Sequence, residues 1–260
     1  MPLNREELQA LEDEHATFVD RYQRLTAALT EQEFKSPTAR VYAQIGLPRR
    51  LQVLTRCIDT VFVKLPLSWA KIPDLDALID ARIALQAFGN EIRGILGNLA
   101  WIWVQEAGIT LSDDDSIPEA AVGLGPKYRI VRTSLPDAVQ HRLIRMNSWF
   151  RQSEAFWASL ERGVPFAAPG HASQFGMDRD VGLLWSRIIT SRDEGERTEA
   201  RRSLEQMGRE TSPPWIEQSS ETGPVTVHTQ LIADFRAIET LSFDMLTSIA
   251  ERSRPPEKHG

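Results

Sequence analysis

The amino-acid sequence predicts an all-α fold: a helical bundle of four or five long helices with a charged helical insertion and one small hairpin. Three observations lead to this prediction. First, apolar residues recur at steps of three and four up to Thr30. Second, residues 74–107 are apolar on most sides of a helix. Third, residues 178–209 have a helical pattern and many charged residues. The length of 260 residues and the 42% apolar content suit one domain, placed at residues 1–253 with 178–209 as a peripheral insertion.

The first helix is predicted to run from Asn4 to about Thr30. Asn4 is a good helix-capping residue and Glu7 follows three positions later, which is the spacing of a capping box. The apolar stripe consists of Leu8, Leu11, His15, Phe18, Tyr22, Leu25 and Leu29. Most residues between these positions are polar or charged, so the opposite face is expected to lie in water.

The second helix is predicted to begin at Ser36 and Pro37, a capping residue followed by proline at the first helical position. Its apolar stripe continues to Leu65. Gly46 and Pro48 interrupt the pattern, and because proline lacks a backbone donor we expect a kink or restart there.

The third helix is predicted from Asp74 to Ala107, with Gly108 as its C-terminal stop. Since it is apolar on most sides, it is expected in the middle of the fold. Glycine lowers helix propensity, so its glycines are expected where a neighbouring group approaches closely. These glycines are Gly89, Gly94 and Gly97.

The remaining chain adds a surface loop at 112–126 and a fourth helix from Ser134 to about Arg162. Two short charged helices, broken near Gly195, fill the insertion. The last elements are a hairpin around Gly223 within 213–227, a helix from Thr229 to Arg252 and a disordered tail at 254–260.

Composition restricts the function classes. The formal net charge is −6, so a surface-wide nucleic-acid binder is disfavoured. The single cysteine, Cys57, excludes an internal disulfide framework and fits a reducing compartment. The N-terminus lacks the pattern of a signal peptide, and the longest apolar stretch, Gly94 to Val104, is too short to span a bilayer. We therefore predict a cytoplasmic protein with no membrane partner.

The histidines offer weak candidates for chemistry. His15 lies on the apolar stripe of the first helix, which favours a core or boundary position over a ligand. His171 and His228 flank the two ends of the insertion and could meet at a metal, although nothing in their spacing requires it. For His228 a position near the start of the last helix is favoured, where a neutral ring could accept a hydrogen bond from a backbone N–H.

Arginines are concentrated before and within the fourth helix. Arg142 and Arg145 share a helix face, and together with Arg151 they are candidates for contacts to phosphate or to a partner. The favoured interpretation is a solvated face that balances the acidic residues Asp113–Asp115.

A further pair of polar residues lies in the apolar third helix. Arg93 and Asn98 are interpreted as a buried pair in which each satisfies the other.

Several short stretches occur in a fixed order over about residues 75–250. They are Leu96-Gly-Asn-Leu-Ala-Trp-Ile-Trp-Val, Gly123-Leu-Gly-Pro-Lys, Ser148-Trp-Phe, Val164-Pro-Phe, Pro214-Trp, and Val227-His-Thr-Gln-Leu-Ile-Ala-Asp-Phe with Ile238-Glu. In this order they resemble an uncharacterised bacterial family whose helical core is similar to HEPN domains. The resemblance implies an Arg-x4–6-His motif late in the fourth helix. In active relatives the His would handle the proton of the RNA 2′-hydroxyl while the Arg steadies the phosphate, often at an interface of two protomers.

The residues at the motif positions depart from this pattern. The flanking stretches place the Arg position on Trp157 and the His position on Arg162. An indole cannot neutralise a phosphate, and a guanidinium stays protonated near neutral pH and cannot act as a general base. We therefore expect a degenerate motif, no catalytic residue, and no metal or cofactor.

The resulting hypothesis is a non-catalytic HEPN-like protein that acts through a partner protein or through self-association, such as homodimer formation, in a bacterial defence or toxin–antitoxin setting. Trp149 and Phe156 lie off the apolar stripe and are candidates for the interface.

Two alternatives remain. In a metal-independent ribonuclease, Arg145, Arg151 or Arg162 would contact phosphate and His141 or Glu161 would handle protons. A small-ligand binder would use a pocket between the third and fourth helices.

Overall fold

Helices form nearly all of the regular structure in a computed structural model that describes residues 5–67, 75–111, 116–161, 179–207, 215–217 and 224–253. The fold is all-α, as predicted. The longer helices are α1 (Arg5–Ala16), α2 (Phe18–Glu31), α4 (Leu47–Lys64), α5 (Leu75–Ala107), α8 (Asn147–Glu161), α9 (Arg179–Thr190), α10 (Glu194–Met207) and α11 (Val227–Ser253). The shorter ones are α3 (Pro37–Val41), α6 (Arg129–Ser134) and α7 (Asp137–Arg145), with a π-helical turn at Tyr42–Gly46 and a 3₁₀ turn at Glu119–Ala121.

The chain divides into two compact units, each assembled from three separate stretches of sequence. The first unit comprises Met1–Ala16, Arg56–Phe88 and Ser153–Ala233, and the second comprises Thr17–Thr55, Gly89–Gln152 and Asp234–Gly260. Four helices, α4, α5, α8 and α11, contribute residues to both units. The prediction of one domain over 1–253 remains a prediction, and the tail at 254–260 lies outside the described residues.

Each unit buries its own apolar side chains. The core of the first unit includes Ile58, Val61, Leu65, Leu85, Phe88, Phe156, Trp157, Leu160, Ile188, Val227 and Leu231. The core of the second unit includes Phe18, Leu25, Leu29, Leu47, Leu51, Leu54, Ile95, Trp103, Leu143, Phe235, Ile238 and Ile249. The helical stripes read from the sequence supply many of these residues, because a stripe that recurs every three or four positions faces one side of a helix.

The predicted signals at the start of α3 and the end of α5 are confirmed. The Ser36 hydroxyl accepts a hydrogen bond from the N–H of Ala39 at 3.2 Å. The carboxylate of Glu106 adds two more bonds at this start, accepting from the N–H groups of Lys35 and Ser36 at 2.8 and 3.0 Å. Helix α5 ends at Ala107, and the next residue, Gly108, has a φ of +64°, the left-handed conformation that favours glycine at a helix stop.

The interruption expected near Gly46 and Pro48 is a single π-helical turn. The N–H of Leu47 donates to the carbonyl of Tyr42, five residues back, instead of four. Pro48 follows directly and has no N–H to give to this ladder. Gly46 is also where α5 comes close, because a Cβ at this position would lie 2.9 Å from Nδ2 of Asn98.

Three boundaries differ from the prediction. The expected first helix is two helices that meet at Thr17, where φ is −88° and ψ is −11°. The expected fourth helix is likewise divided at Met146, with φ −85° and ψ 2°. The apolar stripe continues through both positions. A change in ψ at one residue does not alter this periodic pattern, so the sequence did not predict either break. Helix α6 was not predicted, because a helix of six residues is too short for a periodic pattern.

The predicted charged helices and hairpin are present. Helices α9 and α10 pack against each other, and Asp193 begins α10 by accepting a hydrogen bond from the N–H of Gly195 at 2.7 Å. Strands β1 (Trp215–Glu217) and β2 (Pro224–Thr226) pair antiparallel, with Ile216 opposite Val225. The connection around Gly223 lies outside the described residues.

Candidate functional site

The position that the HEPN resemblance assigns to a catalytic Arg is occupied by a core tryptophan in the first unit. Trp157 of α8 is 3% exposed, and its indole N–H donates to the Ser153 hydroxyl at 3.1 Å. Its ring packs against Phe88 at a centroid distance of 5.1 Å and edge-on against Phe156 at 4.7 Å. Trp157 therefore stabilises packing and presents no charge to solvent. Arg162, at the His position of the motif, lies outside the described residues.

The two aromatic interface candidates are held inside their own units. Phe156 is fully buried, which corrects the expectation that it lies on an interface: its ring fills the core beside Trp157. Trp149 is half-buried, and its indole N–H donates to the carboxylate of Asp234 at 2.8 Å. The sequence prediction missed this bond because the two residues are separated by 85 positions.

The three arginines predicted to contact phosphate or a partner differ in their surroundings. Arg142 forms an ion pair with Asp244 of α11, so its charge is already compensated within the second unit. Arg145 and Arg151 are exposed. Among the described residues neither has an ion-pair partner, and these two remain candidates for external contacts.

The predicted Arg93–Asn98 core pair is wrong. Arg93 is exposed, and its guanidinium donates to Oδ1 of Asn90 at 2.9 Å. Asn98 instead lies against Gly46. A separation of five residues places the two side chains on different sides of the helix, since neighbours on one face are three or four apart.

A cluster of titratable and aromatic side chains in the first unit was not predicted. Nε2 of His15 on α1 lies 2.9 Å from Oδ1 of Asp59 on α4. The His15 ring stacks on Phe62 at a centroid distance of 4.1 Å and an interplanar angle of 4°. On α11, His228 packs edge-on against the same Phe62 ring at 4.6 Å. The partial burial of His15 agrees with the boundary position predicted for it, but its pairing with Asp59 had no sequence signal.

His228 is the fully buried member of this cluster and the second residue of α11. Burial lowers its pKa to about 4, the Leu65 carbonyl opposes this effect, and the nearby His15 adds to it. The ring is therefore neutral near pH 7. Within the part of the chain that the structure describes, neither ring nitrogen makes a hydrogen bond of normal geometry, so the predicted acceptor role for this ring is not found.

The cluster does not form a metal site. Across the described residues no group of three or more His, Cys, Asp or Glu side chains is placed to hold a metal ion. His171, the other residue considered for a metal, lies outside those residues. No helix in the described ranges is long and apolar enough to cross a membrane.

Comparison with known proteins found no relative of this chain: no family model, no curated protein and no solved structure matches it. The structure by itself defines the class of this chain: an all-α protein with a buried aromatic cluster around Trp157.

Proposed function

We propose that this chain is a non-catalytic, HEPN-like helical protein that acts by binding a partner protein or a second copy of itself, in a bacterial defence or toxin–antitoxin setting. The burial of Trp157 is the observation that carries the proposal. A phosphate-binding Arg in that place would have to reach substrate, whereas Trp157 is 3% exposed and bonded to Ser153. A side chain so enclosed contributes to the core and has no access to an RNA backbone.

The replacement also removes the chemistry that cleavage would need. An Arg-x4–6-His motif supplies one fixed cation and one group that exchanges protons near neutral pH. The sequence supplies an indole and a guanidinium instead. Because a guanidinium retains its proton in water near neutrality, this pair can hold an anion at most and cannot take a proton from a hydroxyl.

The second candidate is a metal-independent ribonuclease, favoured by one observation on α7. His141 and Arg145 are four residues apart and both are exposed, so an imidazole and a guanidinium share one solvent-facing side of a helix. These are the residue types that cleavage through the 2′-hydroxyl employs. His141 and Arg145 are far in the sequence from the motif position. They would therefore form a separate catalytic site, which a direct assay can test.

The test is incubation of the purified protein with mixed single-stranded RNA in the presence of a chelator. The proposal expects no cleavage above that seen in a reaction without protein, and the same result for a Trp157→Phe variant, which keeps the aromatic packing. Cleavage that is lost in His141→Ala or Arg145→Ala, and kept in the exposed control Arg49→Ala, would establish the ribonuclease instead.

Self-association is measured separately, by size-exclusion chromatography with light scattering over a range of concentrations. A concentration-dependent rise in mass supports action through a second copy. If the protein is a monomer at every concentration, the proposed partner is a different protein and not a second copy of this chain.

A further inference from the structure

Helix α1 contributes no buried side chain, in contrast to the helix that follows it. None of its residues, 5–16, is buried. The buried residues of α2 are Phe18, Arg21, Leu25 and Leu29. A segment with few buried apolar contacts opens locally at a lower free-energy cost than the core, because its opening exposes little apolar surface to water. We therefore expect α1 to separate from the fold more readily than α2.

His15 connects α1 to α4 within the first unit. Its Nε2 lies 2.9 Å from Oδ1 of Asp59, and its ring lies flat on Phe62, with the centroids 4.1 Å apart and the planes 4° apart. Asp59 and Phe62 are three residues apart on α4, so they share one side of that helix. The side chains of His15 and Asp59 are 28% and 37% exposed, and water therefore weakens their pairing. We name these three residues the His15 contact.

The surface that receives His15 is supported by other helices of the first unit. His228 of α11 packs edge-on against the Phe62 ring at a centroid distance of 4.6 Å, and His228 is itself fully buried. Val61 and Leu65, which precede and follow Phe62 on α4, are also fully buried. These residues belong to α4 and α11 and not to α1. Opening of α1 would therefore uncover one face of Phe62 and leave this support in place.

The connection between α1 and α2 is a single residue. Thr17 has a φ of −88° and a ψ of −11°, and its side chain makes no capping hydrogen bond to α2. The boundary between the two compact units falls at the same position, because Ala16 belongs to the first unit and Thr17 to the second. Hinges in proteins are a few residues at the ends of elements, whose φ and ψ change when the element moves. Thr17 therefore has the position of a hinge for α1.

We propose that α1 is a strap that opens about Thr17 and closes over Phe62, and that the His15 contact holds it closed. In the closed state the imidazole covers one face of Phe62 and pairs with Asp59. In the open state α1 would be a segment of 12 residues without the His15 contact, and helices of that length are marginal in water. Its backbone N–H groups would then exchange with solvent. This inference does not depend on the proposed function, because it concerns the opening of a helix and requires no partner.

The experiment is hydrogen exchange of the full chain, followed by mass spectrometry at neutral pH and at several urea concentrations below the unfolding transition. Amides that exchange through a local opening respond weakly to urea, because the opening exposes little surface. Amides that exchange only on global unfolding respond strongly. The proposal expects the amides of α1 to exchange roughly tenfold faster than those of α2, or more, and to depend less on urea.

Two variants connect the opening with the His15 contact. His15→Ala removes the ring and the pairing, so it should speed the exchange of α1 by roughly threefold or more and that of α2 by less than about twofold. In a chain that already carries Asp59→Ala, the effect of His15→Ala on α1 should be smaller, because the pairing is already lost. Circular dichroism confirms that each variant is folded.

The matched control is Gln9→Ala on the same helix. Gln9 is exposed and donates a hydrogen bond to Asp13 within α1 at 2.9 Å. Since this variant also introduces alanine, its helix propensity matches that of His15→Ala. It should change the exchange of α1 by less than about twofold, because it leaves the His15 contact intact.

Three results would overturn the proposal. If α1 exchanges at the rate and with the urea dependence of α2, it opens only when the second unit unfolds as well. If α1 exchanges as fast as an unstructured peptide, the closed state is not populated. If His15→Ala and Gln9→Ala change the exchange of α1 equally, the His15 contact does not hold the helix closed.

Discussion

The guanidinium of Arg21 donates two hydrogen bonds to one carboxylate oxygen of Glu239, from Nε at 3.0 Å and from Nη2 at 2.5 Å. The two side chains are 10% and 16% exposed. The same guanidinium lies over the rings of Phe18 and Phe235, at 5.5 and 5.0 Å from their centroids. A charge pair with these contacts joins α2 to α11 within the second unit, at a place where either charge without the other would be poorly solvated.

Replacing Arg21 by Met should lower the free energy of unfolding by about 3 kcal/mol, because the carboxylate of Glu239 would remain buried without its main partner. Urea unfolding followed by circular dichroism measures the change. The matched control is Arg24→Met, since Arg24 is 71% exposed and 3.9 Å from the other oxygen of Glu239. This control should cost less than about 1 kcal/mol. Equal losses of unfolding free energy in Arg21→Met and Arg24→Met would contradict the conclusion that the buried pair stabilises the fold.

The hydrogen bond from Trp149 to Asp234 provides a second test of buried polar contacts. Asp234 is fully buried, and the indole N–H lies 2.8 Å from its Oδ1. Trp149→Phe removes this donor and should lower the free energy of unfolding by about 1–2 kcal/mol. Combining it with Asp234→Leu, which has no acceptor, in a double-mutant cycle isolates the pair from lost packing. Strictly additive losses would show that the bond contributes nothing.

Local backbone signals in the sequence were sufficient to predict several helix ends. Ser36 with Pro37, and Gly108, act through bonds and dihedral angles within a few residues of themselves, so the sequence contains the needed information. The breaks at Thr17 and Met146 carry no such signal. They depend on small changes in ψ within otherwise helical patterns.

The candidate site depended on contacts that local patterns do not encode. His15 and Asp59 are 44 positions apart, and Arg142 reaches Asp244 on the last helix. A helical stripe tells which residues face inward, but it does not tell which element lies opposite. The same limit explains why Phe156, off the expected stripe, is nevertheless fully buried.

The glycines of α5 allow a paired prediction. A Cβ at Gly97 would meet nothing within 4 Å, which corrects the expectation of a close neighbour there, whereas a Cβ at Gly94 would collide with the Arg50 guanidinium. Nη1 of Arg50 donates to Oε2 of Glu91 at 2.8 Å, so the collision would also disturb an ion pair.

Gly97→Ala should therefore raise the free energy of unfolding by about 0.5–1 kcal/mol, the helix-propensity difference between the two residues. Gly94→Ala should gain less or lose stability, because displacement of Arg50 offsets the same propensity gain. Urea unfolding of both variants under one condition gives the comparison. A larger gain at Gly94 than at Gly97 would be inconsistent with the observed packing of Arg50.

The buried ring of His228 links stability to pH. Its pKa is lowered to about 4 in the folded chain, mainly by burial, against 6.5 ordinarily. Above pH 6.5 the ring is neutral in both folded and unfolded states and has no effect on the pH dependence. Between pH 6.5 and 4 the unfolded state binds a proton that the folded state does not. The free energy of unfolding must then fall as the pH falls, and the effect levels off below the folded pKa.

His228→Leu should consequently reduce the loss of stability between pH 6.5 and 4 by up to about 3 kcal/mol, since it removes the group that the unfolded state protonates. Urea unfolding at several pH values gives the two profiles, and His228→Gln serves as a polar substitute if the leucine variant packs poorly. His141→Gln, at an exposed position on α7, is the matched control and should leave the profile of the original chain unchanged. If the His228 variants lose stability with acid as steeply as the control, the buried imidazole is not the origin of the acid sensitivity, and the carboxylates account for it instead.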